Sequence, residues 1–450
     1  MAVLKVPDNF KSIQDAIDQW QPGDVVRVAQ GLYPENVKLQ PGVILEGGFS
    51  PDFSAQNWGQ WPSVIDGGQN ASVVVGANEA QLNGFTLRNG RAEQGGGIFL
   101  DKGRMIIKNN LIEDNVAEFD GGGLYISGHP SLHPSDEKPQ KQHPYTDICY
   151  NIIRRNEALG HRGGFGGGIL VRDSKGGIRI TNNVIGGQLG DGNTAKGAGG
   201  GIYVESTPII DIEDNEISQN TAENGHGGGV VIFGGTANSN LSKNKIHHNN
   251  LIHGNYGGGV YVVGGTVISR NSIMNNVTMN FQLGRGGGIA VSSLDYLTPT
   301  VENNFIYNNS ADYGGGIHVD RSGFIDFILI VNNSIAFNKR NSDLHAGGGV
   351  HVAADGRCIL LNNIIWDNSD DFKEELPGSC VLDHNDIKDG DGFGKLGNIS
   401  SDPKFVSRDD LHIVETSPAI DAGNPAGAPK EDIDGQRRSR IPDIGADEFT

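Results

Sequence analysis

Short runs in which apolar and polar positions alternate recur along most of this chain, and each run follows a glycine triplet. Ile98-Phe99-Leu100, Leu124-Tyr125-Ile126 and Ile202-Tyr203-Val204 are three of them. A period of two in β-branched and aromatic residues predicts a strand with one buried face. The triplets begin at Gly95, Gly121, Gly166, Gly199, Gly227, Gly257, Gly286, Gly314 and Gly347. Their steps are 26, 45, 33, 28, 30, 29, 28 and 33 residues, so the 45-residue step carries an insertion at about 128–165. Ahead of each triplet after the first stand asparagines: Asn109-Asn110, Asn151, Asn182-Asn183, Asn215, Asn244, Asn271, Asn303-Asn304 and Asn332-Asn333. They predict turns, because Asn tolerates a left-handed backbone, and stacked turns predict an Asn ladder. The glycines allow a tight bend and close backbone approach. A single coil cannot bury its apolar edge, so stability must come from stacking. The fold read from this pattern is all-β: a single right-handed parallel β-helix.

The ends depart from the repeat. Ser12–Trp20 predicts a short amphipathic helix, with Ile13, Ala16, Ile17 and Trp20 on one face and Ser12 as N-cap. Such a helix would cover the open end of the solenoid. From about Asp370 the rhythm breaks into Gly, Asp and Pro. The expected division is therefore 1–369 as β-helix with an N-terminal cap and 370–450 as final irregular coils and a C-terminal cap.

Composition narrows the functional classes. Glycine supplies 68 of 450 residues, yet it sits at fixed repeat positions and not in a flexible tail. The net charge of -19 disfavours nucleic acid, which needs a basic face. No apolar stretch is long enough for a transmembrane helix. Cys358 and Cys380 lie 22 residues apart, roughly one coil, and so could meet; buried thiols are the default expectation for the three cysteines.

Alternation names an outward column just after each triplet, running Phe99, Tyr125, Leu170, Tyr203, Val231, Tyr261, Ala290, His318 and His351. A second column two residues on includes Asp101, Arg172, Glu205 and Asp320. Together they predict a solvent-facing strip on which sugar rings could stack, with Tyr125 and Tyr203 as binding aromatics. Its most reactive part would be His318 and His351 on adjacent coils, Asp320 beside them, and Tyr261 as proton donor. A second candidate is a basic island. Across 154–179 six Lys or Arg face only Glu157 and Asp173, a net of +4. Arg155, His161, Arg162 and Arg172 there would neutralise an acidic sugar, and His129, His133 and His143 lie in the adjoining loop. No motif demands a cofactor. Histidine spacing argues against zinc. Calcium is the ion suggested, at Asp389 and Asp391, with Asp386, Asp432 and Asp434 in similar Gly-rich turns.

The entry segment Ser12-Ile-Gln-Asp-Ala-Ile with Pro22-Gly23-Asp24-Val25-Val26-Arg27-Val28, the Gly-Gly-Gly-Ile-Tyr coils, and the tail Ser417-Pro418-Ala419-Ile420-Asp421 with Asp443-Ile444-Gly445-Ala446-Asp447-Glu448 resemble the pectin-lyase-like superfamily of right-handed parallel β-helices. The resemblance covers nearly the whole chain. It implies a secreted or surface-anchored bacterial protein and an extracellular location. It says little about chemistry, since this fold hosts lyases, hydrolases, esterases, epimerases and adhesins. The Arg-x-Pro-x-x-Arg element of pectate lyases is absent. Gly225-His226-Gly227 matches one polygalacturonase element without its Asn-Thr-Asp partner, and is read as coincidence. The expected function is a monomeric protein that engages polysaccharide along the β-helix exterior, as a lyase or hydrolase. The alternative is a non-catalytic adhesin or structural protein.

Overall fold

Each repeat folds as a coil that gives one strand to each of four parallel sheets, and successive coils stack in register. This computed structural model describes residues 2–128, 145–160, 163–174, 176–280, 283–321, 327–341 and 347–450. The chain divides into two units, Met1–Thr221 and Ala222–Thr450. In the first, the coil Met105–Lys108, Leu111–Glu113, Val116–Asp120 and Leu124–Ser127 lies on the coil Thr146–Cys149, Ile152–Arg154, Glu157–Ala158 and Ile169–Arg172. Ile107 pairs with Ile148, Ile112 with Ile153, Ala117 with Ala158, and Ile126 with Val171. All eight are buried, so like stacks on like inside the coil. In the second unit Ile268 pairs with Val301, Ile273 with Ile306 and Val291 with Val319 in the same manner.

The asparagines form two buried files, not one. In the first unit Asn110 Nδ2 donates to Asn151 Oδ1 at 3.0 Å, and Asn151 repeats this to Asn183 at 3.0 Å. A second file, five residues on, runs Asn115, Asn156, Asn193 and Asn220, with links of 3.0, 2.9 and 2.9 Å. The second unit carries both as well: Asn271, Asn304, Asn333, Asn363 and Asn385 in one, Asn276, Asn309, Asn338 and Asn368 in the other. The left-handed residue is the one before nearly every rung, such as Asn109 (φ 54°), Tyr150 (57°) or Arg270 (57°), while the rung itself points inward.

The triplets have a steric reason. Gly121 adopts φ 70°. A Cβ on Gly122 would lie 2.5 Å from the Gly167 carbonyl oxygen, and one on Gly123 would lie 2.5 Å from that of Gly168. Only glycine permits this approach of successive coils. Consecutive amides then donate to the next coil, Gly122 N to Gly166 O at 3.1 Å and Gly123 N to Gly167 O at 3.0 Å.

The predicted helix is Ile13–Asp18, capped by Ser12 through Asp15 N at 3.0 Å, with Ile13, Ala16 and Ile17 buried. Glu35 accepts from the Ile13 and Gln14 amides at 2.9 and 3.1 Å, a second cap that sequence reading did not anticipate. Beyond residue 370, strands Phe372–Glu374, Cys380–Asp383 and Asp386–Ile387 still join the sheets, and Asn398 continues the first file. The remaining tail packs against the flank of its own unit. Leu411 and Ala446 pack with Phe305, Tyr307 and Phe337, and Arg438 donates to Asn303 at 2.8 Å. Cys358 and Cys380 are not thiols: they are register partners on adjacent coils, 4.8 Å apart at Cα, and form a disulfide. Stacking places one above the other, which spacing alone left open. Cys149 is free and half-buried.

Candidate functional site

In the second unit two columns flank the triplets. Behind them lie Tyr261, Ala290, His318 and His351, paired strand to strand. Ahead of them lie His226, Tyr256, Arg285 and Tyr313, joined by parallel bridges. The first column is not the solvent-facing strip expected from alternation. Tyr261 is 8% exposed, His318 0% and His351 2%. These side chains point out of the coil, but the residues ahead of the triplets cover them. Tyr256 stacks on Tyr261 with centroids 5.2 Å apart and His226 lies 4.9 Å from the same ring. Tyr313 packs on His351 at 5.0 Å. The first unit repeats the device. Tyr203 is buried under Phe165 at 4.7 Å, and Tyr125 is buried beside Phe99 at 5.5 Å. Neither tyrosine offers an open face to a sugar.

The buried imidazoles are connected. His318 and His351 stack 5.2 Å apart, nearly parallel, with Nδ1 to Nδ1 at 3.1 Å. His318 Nε2 has no hydrogen bond and faces Asp320 Oδ1 at 3.8 Å, while His351 Nε2 lies 3.5 Å from Glu375 Oε1. Two neutral imidazoles at this separation must share one proton, so the tautomers of the pair are coupled. Burial lowers the His318 pKa against the pull of Asp320, and so favours the neutral ring. Burial would raise Asp320, but the facing His318, the hydrogen bond from Tyr256 and the charge of Arg285 hold it below the usual range.

The exposed part of the cluster is what sequence reading missed. Tyr256 Oη donates to Asp320 Oδ1 at 3.0 Å and accepts from Arg285 Nη1 at 3.2 Å. Arg285 lies over the Tyr256 ring at 5.3 Å and the Tyr313 ring at 5.7 Å. Burial and Asp320 raise the Tyr256 pKa, keeping its proton on. The signal was available: all four covering residues occupy the positions immediately ahead of triplets.

The basic island of the first unit does not survive stacking. Arg154 pairs with Glu113 at 2.9 Å. Arg155 pairs with Glu113 at 2.6 Å, Asp114 at 2.8 Å and Asp191 at 2.9 Å. Arg172 pairs with Asp120 at 3.1 Å and with Glu205. Arg179 lies 3.8 Å from Asp147 and 3.7 Å from Asp211. The count along the sequence was positive because the neutralising acids come from neighbouring coils. His161 and Arg162, with His129, His133 and His143, lie outside the described residues. Arg285 differs: among the described residues it makes no ion pair.

For metal, Asp389 Oδ2 accepts from the Asp371 amide at 2.8 Å, and Asp391 is raised by burial and by Asp389. Among the described residues the group whose ligand atoms lie within 4.8 Å of one another is instead His412, Asp434 and Asp447. It is closed by its own hydrogen bonds. His412 meets Asp410 on Nδ1 and Asp434 on Nε2 at 2.9 Å, and Asp447 takes the Ile413 amide at 2.8 Å.

Residues 188–342 match the family described as right handed beta helix region, and residues 6–130 match a family described as a protein of unknown function, DUF1565. No curated protein matches the chain. A solved structure, "Crystal structure of pectate lyase Pel9A", is similar at 11% identity and a TM-score of 0.43, covering 100% of this chain and 97% of that one. With its parallel sheets and in-register coils, the protein has a right-handed parallel β-helix fold. No helix among the described residues is long and apolar enough to cross a membrane.

Proposed function

We propose that this protein engages an acidic polysaccharide on the outer face of its second unit, at Arg285, Tyr256, Tyr313 and Asp320. The observation that carries the reading is Arg285, a half-exposed guanidinium set beside two tyrosine rings and in no direct ion pair among the described residues. A uronate would supply the carboxylate that Arg285 lacks, in the planar two-point geometry that arginine favours. The rings of Tyr256 and Tyr313 hold that guanidinium between them and fix its direction. Tyr261, His318 and His351 then act from beneath as positioning groups, and not as groups that touch the glycan. A disulfide between Cys358 and Cys380 fits an oxidising, extracellular setting.

A second reading, cleavage by β-elimination, is favoured by one contact. Tyr256 Oη bridges Arg285 and Asp320, so a proton donor, a carboxylate and a neutralising cation stand together. The lowered pKa of Asp320 makes it a weak base, which ranks binding ahead of cleavage.

Both are tested by titrating the protein with polygalacturonate and a neutral glucan, and following the ultraviolet absorbance of unsaturated products. Acidic polymer binds and neutral polymer does not, and Arg285→Gln weakens binding roughly 10-fold to 100-fold, the worth of a charge-assisted contact. Undiminished binding by Arg285→Gln would end the proposal. An absorbance rise that Asp320→Asn abolishes would promote cleavage over mere binding.

A further inference from the structure

The tail of the second unit holds a pocket of about 430 Å³ whose lining includes Pro425, Pro429, Pro442, Lys430, Arg437 and Arg438, with Glu431 among them. In a chain of net charge -19, three cations around one cavity call for an account of their counter-ions. Lys430 and Arg438 are held opposite each other by a tight hairpin, Arg438 N donating to Lys430 O at 3.0 Å and Asp432 N to Gln436 O at 2.9 Å. The nearby acids are committed elsewhere. Glu431 pairs with Arg270 at 3.2 Å. Asp432 takes the amides of Asp434, Gln436 and Glu448 at 3.0, 2.7 and 3.2 Å. Asp434 binds His412 at 2.9 Å. Glu448 takes Ser439 N at 2.7 Å, Asp443 N at 2.9 Å and Arg438 Nη1 at 3.0 Å.

What remains is an excess of positive charge. Lys430 and Arg437 are exposed and make no ion pair among the described residues. Arg438, with its side chain 3% exposed, uses both terminal nitrogens, yet its Nε is buried without a hydrogen-bond partner. Its charge is met inside the protein by Glu448, so the exposed pair Lys430 and Arg437 carries the excess at the pocket. Pro425, Pro429 and Pro442 add carbon surface and no backbone N–H. The volume lies within the range of small-ligand sites.

We infer that this pocket binds the acid-bearing ring of an anionic sugar, its carboxylate or sulfate toward Lys430 and Arg437 and its ring carbons against the prolines. The sugar part of this inference rests on the acidic-polysaccharide reading above; the anion part does not. It gives the second unit a second contact, on the tail, with the same class of polymer.

The test is calorimetry on the full chain at low ionic strength, where exposed charges are least screened. Glucuronate, inorganic sulfate and methyl glucoside are the probes. Glucuronate binds at least 10-fold more tightly than sulfate, methyl glucoside does not bind, and Lys430→Gln/Arg437→Gln weakens glucuronate at least 10-fold. Both substituted side chains are exposed, so the fold tolerates the change, and circular dichroism checks it. Unchanged glucuronate affinity in the double variant overturns the inference, as does sulfate binding as tight as glucuronate. Loss of glucuronate binding in Arg285→Gln alone overturns the pocket and leaves the polysaccharide reading standing. Glucuronate binding that only the double variant destroys, with no polymer binding by the parent chain, sinks that reading and leaves the pocket.

Discussion

Asp371→Asn should stabilise the protein at neutral pH and leave it unchanged in acid. Asp371 is fully buried and ends the second asparagine file, its Oδ1 accepting Asn368 N at 2.8 Å and Asn368 Nδ2 at 2.9 Å. Its Oδ2 is buried without a partner. Burial pushes the carboxyl up to about 7 from 3.8, Asn368 pulls it down, and Asp389 adds repulsion against the opposing charge of Lys388. A folded pKa above the unfolded one means that the native state holds the proton more tightly. Stability from this group is therefore whole below about pH 4 and is lost as pH rises toward 7. A gap of about 3 units is up to about 4 kcal/mol at 1.36 kcal/mol per unit. Asparagine keeps the Oδ1 acceptor that Asn368 needs and never ionises. Denaturant midpoints of both chains at pH 4 and pH 8 are the measurement. They should coincide at pH 4 and separate at pH 8 in favour of the variant. Comparing variant with parent at each pH cancels the other raised carboxyls, Asp386 and Asp443. An equal or lower midpoint for Asp371→Asn at pH 8, or a gain of the same size at both values, would refute the reasoning.

Three further outcomes follow from the same contacts. Asn309→Leu removes the acceptor of Asn276 at 3.0 Å and the donor to Asn338 at 3.0 Å inside a dry core, and should cost about 2–5 kcal/mol by chemical denaturation. Gly122→Ala forces a methyl to 2.5 Å from backbone oxygen of the next coil and should lower the soluble yield sharply, whereas Ala on the neighbouring exposed Glu118 should not. Arg172→Ala should leave acidic-polymer binding within about 2-fold of the parent, because its charge is already spent on Asp120 and Glu205; a 10-fold loss would restore the basic island as a binding surface.

The repeat was legible because two physical demands recur at fixed spacing: glycine where backbones nearly touch, and asparagine where a buried turn needs an amide. The second file was equally written, as Asn110 and Asn115, Asn151 and Asn156, or Asn271 and Asn276, five residues apart. The Asn-Asn doublets at 109–110, 182–183, 303–304 and 332–333 obscure that interval. The fate of the outward column was not legible. Alternation says that His318 points away from the coil interior, but only the stack shows Tyr313 and Tyr256 folded over that surface. Charge failed for a related reason. Glu113 and Arg154 are 41 residues apart in sequence and 2.9 Å apart in space, so a sliding count sees an island where the fold has a pair.

The amides of the triplets share one orientation, and the asparagine files share it too. Gly315 N–H points to Gly347 O, Gly316 N–H to Gly348 O, and Asn309 and Asn338 pass their N–H bonds in the same sense. Ordinary strands cancel their dipoles; these segments add them, as a helix does along its axis. The second unit therefore has an electrical polarity, positive toward its last coils. There the chain sets Asp370, whose Oδ2 takes the Gly347 amide at 2.9 Å, much as an acidic residue caps a helix at its amino end. Growth of such a stack by further coils would carry the positive pole outward, so the carboxylate at the last triplet acts as an electrostatic full stop.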